Sequence, residues 1–375
     1  MTASDPIKTI LCQPALAKYR IPVFRALAER DGIDLDVWYS AVRGLSNVEP
    51  DGFRGRPVST WRLPKLPLRW EPANWAAAGS NADVIVMSWN ANDLALKPAL
   101  GRARRHGVGT VLWGHGYSKR ETPFRKRRRD ALGKRADAVV LYDRATADKL
   151  IADGYDAGRV FVAANTLDGA PMEAARAAVD DGGTSVRAEH ELGDAPVLLF
   201  VSRVSPKSRL DLLLQALTEL PAAKLLVVGG GDAMPLRAEA DRLGVGDRVV
   251  WVGPVYDERR LAHYFAAADV FVYPAMIGLS LIHAMSYGLP VVTAAAVERQ
   301  NPEIIALVEG ETGLTYRDGD AGDLAVKIRS LLDDEALRQR MSDAAIRRVR
   351  SEFSLSNMVD GLEAAIRKAA VSVSR

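Results

Sequence analysis

The stretch VLLFVSRVSPKSRLDLLLQALTELPAAKLLVVGGGD, residues 197–232, runs strand, turn, helix, strand. VLLFVS and KLLVVG are almost entirely apolar, as strands are in a parallel sheet covered by helices on both faces. Pro206 stands where a helix would start, since its fixed φ suits the first turn and its missing N–H is not needed there. Two parallel strands joined through a helix make a βαβ unit, and this unit sets the fold. The alternation extends both ways. In the first half the candidate strands are KTILC (8–12), DLDVWY (34–39), DVIVMS (83–88), TVLWG (110–114), AVVLY (138–142) and VFVA (160–163). After residue 232 come RVVWVG (248–253), VFVYP (270–274), PVVTA (290–294) and TGLTY (312–316). The expected fold is α/β: two doubly wound parallel-sheet domains facing a cleft, with ligands bound beyond the carboxyl ends of the strands.

At 375 residues the chain exceeds what one core usually serves. Residues 1–170 are expected as an N-terminal domain and 196–350 as a C-terminal domain. Residues 171–195, rich in Ala, Asp and Gly and without a strand pattern, read as the linker. Residues 351–375 read as a C-terminal helix packing back on the N-terminal domain. A hydrophobic content of 48% and a charged content of 26% are ordinary for a globular chain. The single cysteine, Cys12, excludes an internal disulfide and suits a reducing compartment; it ends an apolar run, which marks it as buried filler. MTASDPIK lacks the pattern of a secretory signal, and no apolar run approaches the length of a membrane-spanning helix. The expectation is a cytoplasmic protein, at most peripheral at the inner face of the cell membrane.

The net charge is +3 but unevenly spread. Residues 1–150 carry 26 Lys and Arg against 15 Asp and Glu, whereas the remainder carries 24 against 32. SKRETPFRKRRRDALGKR, residues 118–135, holds nine basic and two acidic side chains. As a helix it would present Arg125, Arg128, Arg129 and Lys134 over one broad face. Such a face suits an anionic membrane surface, at about 1 kcal/mol per basic residue near the headgroups; an ordinary solvated helix accounts for it nearly as well. Nucleic acid is not an expected partner, because no recognised binding motif accompanies the charge and aromatics are sparse there.

The residues just after each strand carry the chemistry. Arg203 and Lys207 follow VLLFVS beside a helix start, where charge, backbone N–H groups and dipole all favour a pyrophosphate; a solvated loop explains them as simply. GGGD (229–232) and GPV (253–255) allow close backbone approach, with Gly253 and Val255 in the second. Neither has the spacing of a dinucleotide fingerprint, and no P-loop motif is present. After VFVYP, the amides around Gly278, Leu279 and Ser280 open a helix and would face an entering anion. His283 lies four residues beyond Leu279, near the same face, and by itself reads as a core histidine. His115 sits past the end of TVLWG between Gly114 and Gly116; a loop at a strand end suits a working histidine, and a turn-shaping role fits equally. No group of His, Cys or carboxylates has metal-ligand spacing, and the Asp34–Asp36 pair lies inside a strand, so no metal is expected.

Taken in order, SRVSPK with LDLLLQAL, LLVVGGG, DRVVWVGPV, HYFAAADVFVYP, GLSLIHAMSYGLPVV and EGETGLTY cover most of residues 196–320. Together they resemble the family-four retaining glycosyltransferases of the GT-B fold. YRIPVF, GHG and VFVAANTLD add weaker similarity in the first half. The resemblance implies transfer of a sugar from a nucleotide diphosphate sugar to a glycan or lipid-linked acceptor, with retention at the anomeric carbon. It implies a donor in the C-terminal domain and an acceptor in the N-terminal domain. The expected donor contacts are Gly253, Val255, Gly278, Leu279, Ser280 and His283. The expected acceptor contacts are Tyr19, Arg20, Arg120 and Glu121. His115, Arg203 and Lys207 are the catalytic candidates, with no cofactor beyond the donor substrate and no metal.

Two departures stand out. The family's E-x7-E glutamates are Ala275 and His283 here, and its phosphate-binding lysine aligns with Ser208, between Lys207 and Arg209. The GLSxIH variant resembles a subgroup of polysaccharide-assembly transferases, which implies that His283 contacts ribose or diphosphate and that the activity serves cell-surface polysaccharide assembly. Leaving-group charge would be stabilised by cations and amides in a dry site, and no carboxylate pair of the glycosidase type is present. Two other functions fit: a non-catalytic nucleotide-sugar-binding partner, motivated by the missing glutamate and displaced lysine, and a sugar-nucleotide epimerase, which would need no acceptor.

Overall fold

The computed structural model describes residues 5–40, 46–62, 68–117, 122–295 and 300–373. The chain divides into two compact units, Met1–Asn165 with Leu355–Arg375, and Thr166–Ser354.

The first unit is built on strands β1 (Ile7–Gln13), β2 (Ile33–Tyr39), β3 (Arg54–Pro57), β6 (Val84–Ser88), β7 (Gly109–Gly114), β8 (Ala138–Leu141) and β9 (Val160–Val162); β4 (Trp61–Arg62) and β5 (Arg69–Trp70) form a separate antiparallel pair. The seven-stranded sheet has the order β3-β2-β1-β6-β7-β8-β9 and every pairing is parallel. Side chains alternate between its faces. Ile85, Met87, Leu112 and Leu141 face helices Pro72–Ala77, Leu96–Arg105 and Arg144–Ala152, while Val84, Val86, Val111 and Val140 face helices Ile21–Ala28 and Leu355–Val373. The C-terminal helix buries Met358, Val359, Leu362 and Ile366 in that second face. Each of these side chains contributes roughly 1.5–3 kcal/mol, so the helix is an integral layer of the first unit.

The second unit has β10 (Val197–Val201), β11 (Lys224–Val228), β12 (Val249–Gly253), β13 (Val270–Tyr273), β14 (Val291–Ala294) and β15 (Gly313–Tyr316) in the order β12-β11-β10-β13-β14-β15, all parallel. Leu198, Phe200, Leu225, Val227, Val270 and Val272 meet the leucines of helix Leu210–Thr218 and the apolar side of Ala321–Leu332.

All twelve expected strands are present. Three were not expected. β3 reads RGRP, with no apolar alternation, and pairs only at the sheet edge. Charge pairing and stacking hold it there: Arg54 pairs with Asp34, and Arg56 bonds Asp36 at 3.1 Å and stacks 4.0 Å from the Trp38 ring. Asp34 and Asp36 therefore serve the β2–β3 edge. β4 and β5 are two-residue strands, too short to leave a pattern.

Residues 171–195 are not a linker. Helices Gly169–Ala177 and Thr184–Glu189 lie there, in the second unit, with Met172, Ala175, Val186 and Leu192 buried. Asp181 organises the turn between them, accepting from Gly183 N (2.9 Å) and Ser185 N (3.0 Å) and lying 3.2 Å from His263 Nδ1. The few large apolar residues, diluted by alanine and glycine, hide these helices from a hydrophobicity pattern. The chain passes between units at residues 165–166 and again at 354–355.

Candidate functional site

Each unit has a hollow at the carboxyl ends of its strands. In the second unit, Val201, Ser202, Arg203, Gly229, Gly230, Gly231, Pro254, Val255 and Tyr256 surround about 530 Å³. The loops leaving β10 and β11 are in direct backbone contact here. Ser202 N donates to Val228 O at 3.1 Å and Val204 N to Gly230 O at 2.9 Å. A Cβ on Gly229 would fall 1.7 Å from Ser202 O, and one on Gly231 2.1 Å from Val204 O. Only glycine permits that approach, so Gly229 and Gly231 are structural requirements of this wall, whereas a Cβ on Gly230 would make only ordinary contact with Pro254 at 3.5 Å. Arg203 is exposed on the rim and makes no ion pair among the described residues.

Lys207 is exposed on the short turn Pro206–Ser208 and is not part of the lining. Ser208 is fully buried; its hydroxyl donates to Ser205 O at 2.6 Å and accepts from Ser205 N at 3.3 Å. It closes a capping turn, so the position aligned with the family's lysine is occupied structurally. Arg209, at φ 50°, turns to Asp211, with Nε 3.2 Å from both carboxylate oxygens.

Gly278, Leu279 and Ser280 open helix Leu279–Ser286. Ser280 Oγ donates to Val201 O at 3.1 Å, fastening the helix start to the end of β10. The preceding loop is held from below by Gln300, which accepts from Ile277 N (2.8 Å) and donates to Ala275 O (3.2 Å) and Ala294 O (2.7 Å). Glu303, also buried, lies under Gly278, and a Cβ on that glycine would be 4.0 Å from Glu303 Oε2. His283 points to the neighbouring helix Glu258–Ala266: its Nε2 is 2.7 Å from Glu258 Oε1, which also accepts from Tyr287 Oη at 2.7 Å. Phe265 packs against both rings, 4.8 Å from His283 and 4.3 Å from Tyr287. Burial first, then the adjacent Glu258 carboxylate, pushes the Tyr287 phenol up from its ordinary value. A carboxylate is therefore present beside position 283, supplied from another helix. Glu258 gave no sequence signal, because it lies 25 residues away from its partner.

In the first unit a hollow of about 490 Å³ is lined by Pro14, Arg69, Ser88, Trp89, Trp113, His115, Arg125, Arg129 and Tyr142, among others. His115 leaves β7 through Gly114 and Gly116, and its ring centroid is 5.0 Å from that of Tyr142. Gly116 has φ 65°, and a Cβ there would meet Leu141 Cδ2 at 2.6 Å, which explains the glycine after the histidine. Tyr19 and Arg20 do not line this hollow. Arg20 is 6% exposed, with its guanidinium 4.6 Å from the Trp113 ring and 5.1 Å from Tyr19. Arg120 and Glu121 lie outside the described residues.

The basic segment does not present one face. Helix Pro123–Gly133 turns Arg125 and Arg129 into the hollow, and Arg129 is buried. Lys126 pairs with Asp130 (3.0 Å) and Asp153 (2.8 Å). Lys134, nine residues past Arg125, falls about half a turn round the helix axis and joins Arg104, Arg135 and Arg159 around a separate hollow.

Behind the first hollow lies a buried polar cluster. Glu71 accepts from Ser40 Oγ (3.2 Å) and Thr60 Oγ1 (2.8 Å), and lies 3.1 Å from Arg69 Nε. Asp93 accepts from Glu71 N (3.2 Å), Asn74 Nδ2 (2.7 Å) and Ala95 N (2.9 Å). Burial pushes the Asp93 carboxyl above the usual carboxylate range, against the pull of those donors. The same burial, reinforced by Glu71, Asp93 and Asp36, pushes the Cys12 thiol well up, which leaves it inert packing. Among the described residues no three His, Cys, Asp or Glu side chains converge as a metal site, and no helix is long and apolar enough to cross a membrane.

Residues 184–348, most of the second unit, match the family glycosyl transferases group 1. A stretch of 156 residues is 34% identical to sulfoquinovosyl transferase SQD2 of Arabidopsis thaliana, covering 40% of this chain and 29% of that protein. A stretch of 187 residues is 33% identical to D-inositol 3-phosphate glycosyltransferase of Mycolicibacterium smegmatis, covering 47% of this chain and 41% of that one. The chain thus spans less than half the length of these curated relatives. Among solved structures, Anabaena HepE in complex with UDP superposes with TM-score 0.72 at 18% identity, covering 96% of this chain and 99% of that chain. A glycosyltransferase of Rickettsia africae superposes with TM-score 0.72 at 16% identity, covering 96% and 98%. Two Rossmann-like parallel sheets of this kind define the GT-B class. The fold of the chain is thus of the GT-B class, and its second unit carries a match to the glycosyl transferases group 1 family.

Proposed function

We propose that the chain is a retaining, metal-independent glycosyltransferase that binds a nucleotide diphosphate sugar in the second unit and an acceptor in the first. The observation that carries this is the family match over residues 184–348, on a unit whose strand ends form a glycine-walled hollow rimmed by Arg203. HepE, which shares the fold, was solved with UDP, and a nucleoside diphosphate suits the chemistry of the wall. Breaking the bond from sugar to diphosphate leaves negative charge on the departing group. Arg203, Lys207 and the amides at the start of helix Leu279–Ser286 are the groups of this chain that would stabilise it. His115 is assigned to the transferring centre from the acceptor side.

The acceptor is a glycan or a lipid-linked glycan in cell-surface polysaccharide assembly, reached from the cytoplasmic face of the membrane. Phe124 is 73% exposed and Trp61 69% exposed; they sit on the helix and hairpin that also supply Arg125 and Arg69 to the first hollow. Exposed aromatics beside cations suit a headgroup layer, and they support peripheral membrane contact.

A thermal-shift screen with UDP, GDP and ADP tests the donor half. A ligand at a hundred times its Kd adds about 2.7 kcal/mol to the native state. Transfer from the matching sugar donor, with the product's anomeric configuration read by NMR and activity unchanged by EDTA, tests the reaction. No stabilisation by any of the three overturns the donor assignment. A second function, nucleotide-sugar binding without transfer, is favoured by Ser208 being locked in a capping turn where the family has lysine; stabilisation by a nucleotide with no release of nucleoside diphosphate from any donor would establish it.

A further inference from the structure

The first unit has another hollow, at the opposite end of its sheet. Arg104, Thr110, Lys134, Arg135, Asp137 and Arg159 are among the residues around about 620 Å³ there. Thr110 lies at the start of β7, Asp137 immediately precedes β8 and Arg159 immediately precedes β9, so this hollow opens at the amino ends of the strands. His115 follows the carboxyl end of β7. From Thr110 to His115 the chain runs roughly 16 Å, at about 3.3 Å per residue. An occupant of the amino-end hollow therefore does not reach the residues assigned to the reaction.

Three elements bring the cations together. Arg104 is in the last turn of helix Leu96–Arg105, Lys134 and Arg135 directly follow helix Pro123–Gly133, and Arg159 closes the short turn Ala157–Arg159. The negative end of a helix favours a cation. That accounts for one basic residue near each helix end, and not for four around one hollow. Arg159 is half-buried, and its Nε donates to Asp137 O at 3.1 Å, which anchors the guanidinium; its terminal nitrogens have no partner among the described residues. Lys134 has only the Tyr155 ring, 5.6 Å away. Arg104 and Arg135 are exposed, and their side chains make no hydrogen bond or ion pair among the described residues. Asp137 is the one acid in the described lining, and it is engaged elsewhere: its Oδ2 accepts from Thr110 N at 2.8 Å and from Thr110 Oγ1 at 2.7 Å. Four cations against one carboxylate leave a formal charge of +3 on the lining.

We propose that the amino-end hollow binds a soluble ligand carrying two or more phosphate groups, at a site separate from donor and acceptor. A single phosphate monoester carries about −1.5 to −2 at neutral pH, which leaves the lining under-neutralised; a pyrophosphate or bisphosphate comes closer. Guanidinium groups grip phosphate oxygens in pairs, which suits a site with three arginines. The volume is that of a small-molecule site. A lipid source fits less well. The exposed Phe124 lies in the first turn of helix Pro123–Gly133, about 15 Å along the axis from Lys134 at 1.5 Å per residue. A headgroup layer that meets Phe124 does not meet these cations.

The test is calorimetric titration of the full chain with inorganic phosphate and with pyrophosphate at one ionic strength, and co-sedimentation with phosphatidylcholine vesicles with and without phosphatidic acid. Arg104→Gln and Arg135→Gln are the variants, singly and together; neither opens an ion pair, and Tm checks that the fold is kept. Arg105→Gln is the control, because Arg105 is exposed in the same helical turn and is not part of the lining. The wild type is expected to bind pyrophosphate about tenfold or more tightly than phosphate. Each single variant should lose about tenfold in pyrophosphate affinity, and the double variant should lose more. Arg105→Gln should bind as the wild type does. The same losses should appear on an Arg203→Ala background, which discounts pyrophosphate held in the glycine-walled hollow of the second unit. The proposal is overturned if the wild type binds no pyrophosphate or binds both anions equally. It is overturned too if the double variant binds as the wild type does, if Arg105→Gln weakens binding as much, or if the losses vanish on the Arg203→Ala background. Binding confined to vesicles with phosphatidic acid would assign these cations to a membrane surface and overturn the soluble ligand.

Discussion

His283 Nε2 and Glu258 Oε1 are 2.7 Å apart, and Tyr287 Oη donates to the same oxygen at 2.7 Å. Two helices thus bring together a histidine and a carboxylate at the position where the family resemblance implies a glutamate. If the pair acts as one donor-binding unit, its members will not contribute independently. His283→Ala and Glu258→Gln should each weaken nucleotide diphosphate binding by about tenfold, the loss of one charge-assisted hydrogen bond. The double variant should lose no more than the weaker-binding single one. Additive losses in calorimetry would mean that the two side chains serve separate purposes.

Ser208→Lys installs the lysine that the family resemblance implies at this position, yet it should harm the protein. Ser208 is fully buried and closes the turn through Ser205. A lysine there loses the capping bonds, worth about 1 kcal/mol, and overfills the site at a further cost of about 1–3 kcal/mol. The expected result is a lower Tm without tighter nucleotide binding. Improved donor affinity at unchanged Tm would show that the turn can open to admit the lysine.

Most of the parallel strands were legible because they are nearly all apolar, and twelve runs from KTILC to TGLTY correspond to strands. What escaped were elements held by something other than an apolar pattern: the β3 edge, tied by Arg54 and Arg56 to acids on β2, and the alanine-rich helices at 169–189. In the candidate site, residues that follow strands directly were visible, such as Arg203 and His115. Residues brought in from elsewhere were not. Glu258 reaches His283 across a helix pair, and Arg69 reaches the first hollow from a two-residue strand. Arg20 was visible as a cation, but its burial behind Trp113 depends on the C-terminal helix more than 300 residues later, whose Met358 it touches.

Asp181 should control the acid limb of stability for the segment that resembles a linker in sequence. The Ser185 hydroxyl, then the amides of Gly183 and Ser185, hold its carboxyl well below the usual carboxylate range. A depressed folded value adds stability that is present above the ordinary carboxylate value, about 3.9, and lost as pH falls through the folded value. Asp181→Asn should therefore lower Tm at neutral pH, and the gap to wild type should narrow progressively below about pH 4. A gap that stays constant down the acid limb would assign the loss to the turn geometry alone.

Arg203 and His115 should separate kinetically, because each belongs to a different unit. Arg203 is exposed and makes no ion pair among the described residues, so Arg203→Ala should leave Tm unchanged. If it holds the departing diphosphate, the alanine variant should lose both nucleotide affinity and kcat, since the charge it meets is partly present in the donor and grows in the transition state. His115 lies on the lining of the other hollow, 5.0 Å from the Tyr142 ring centroid. His115→Ala should lower kcat by about a hundredfold, within the usual range for a positioned acid–base or orienting group, with donor affinity in calorimetry close to wild type. The two variants are therefore distinguished by nucleotide binding measured without acceptor. A His115→Ala protein that binds UDP, GDP or ADP poorly and turns over normally when saturated would move His115 from the reacting centre to donor recognition.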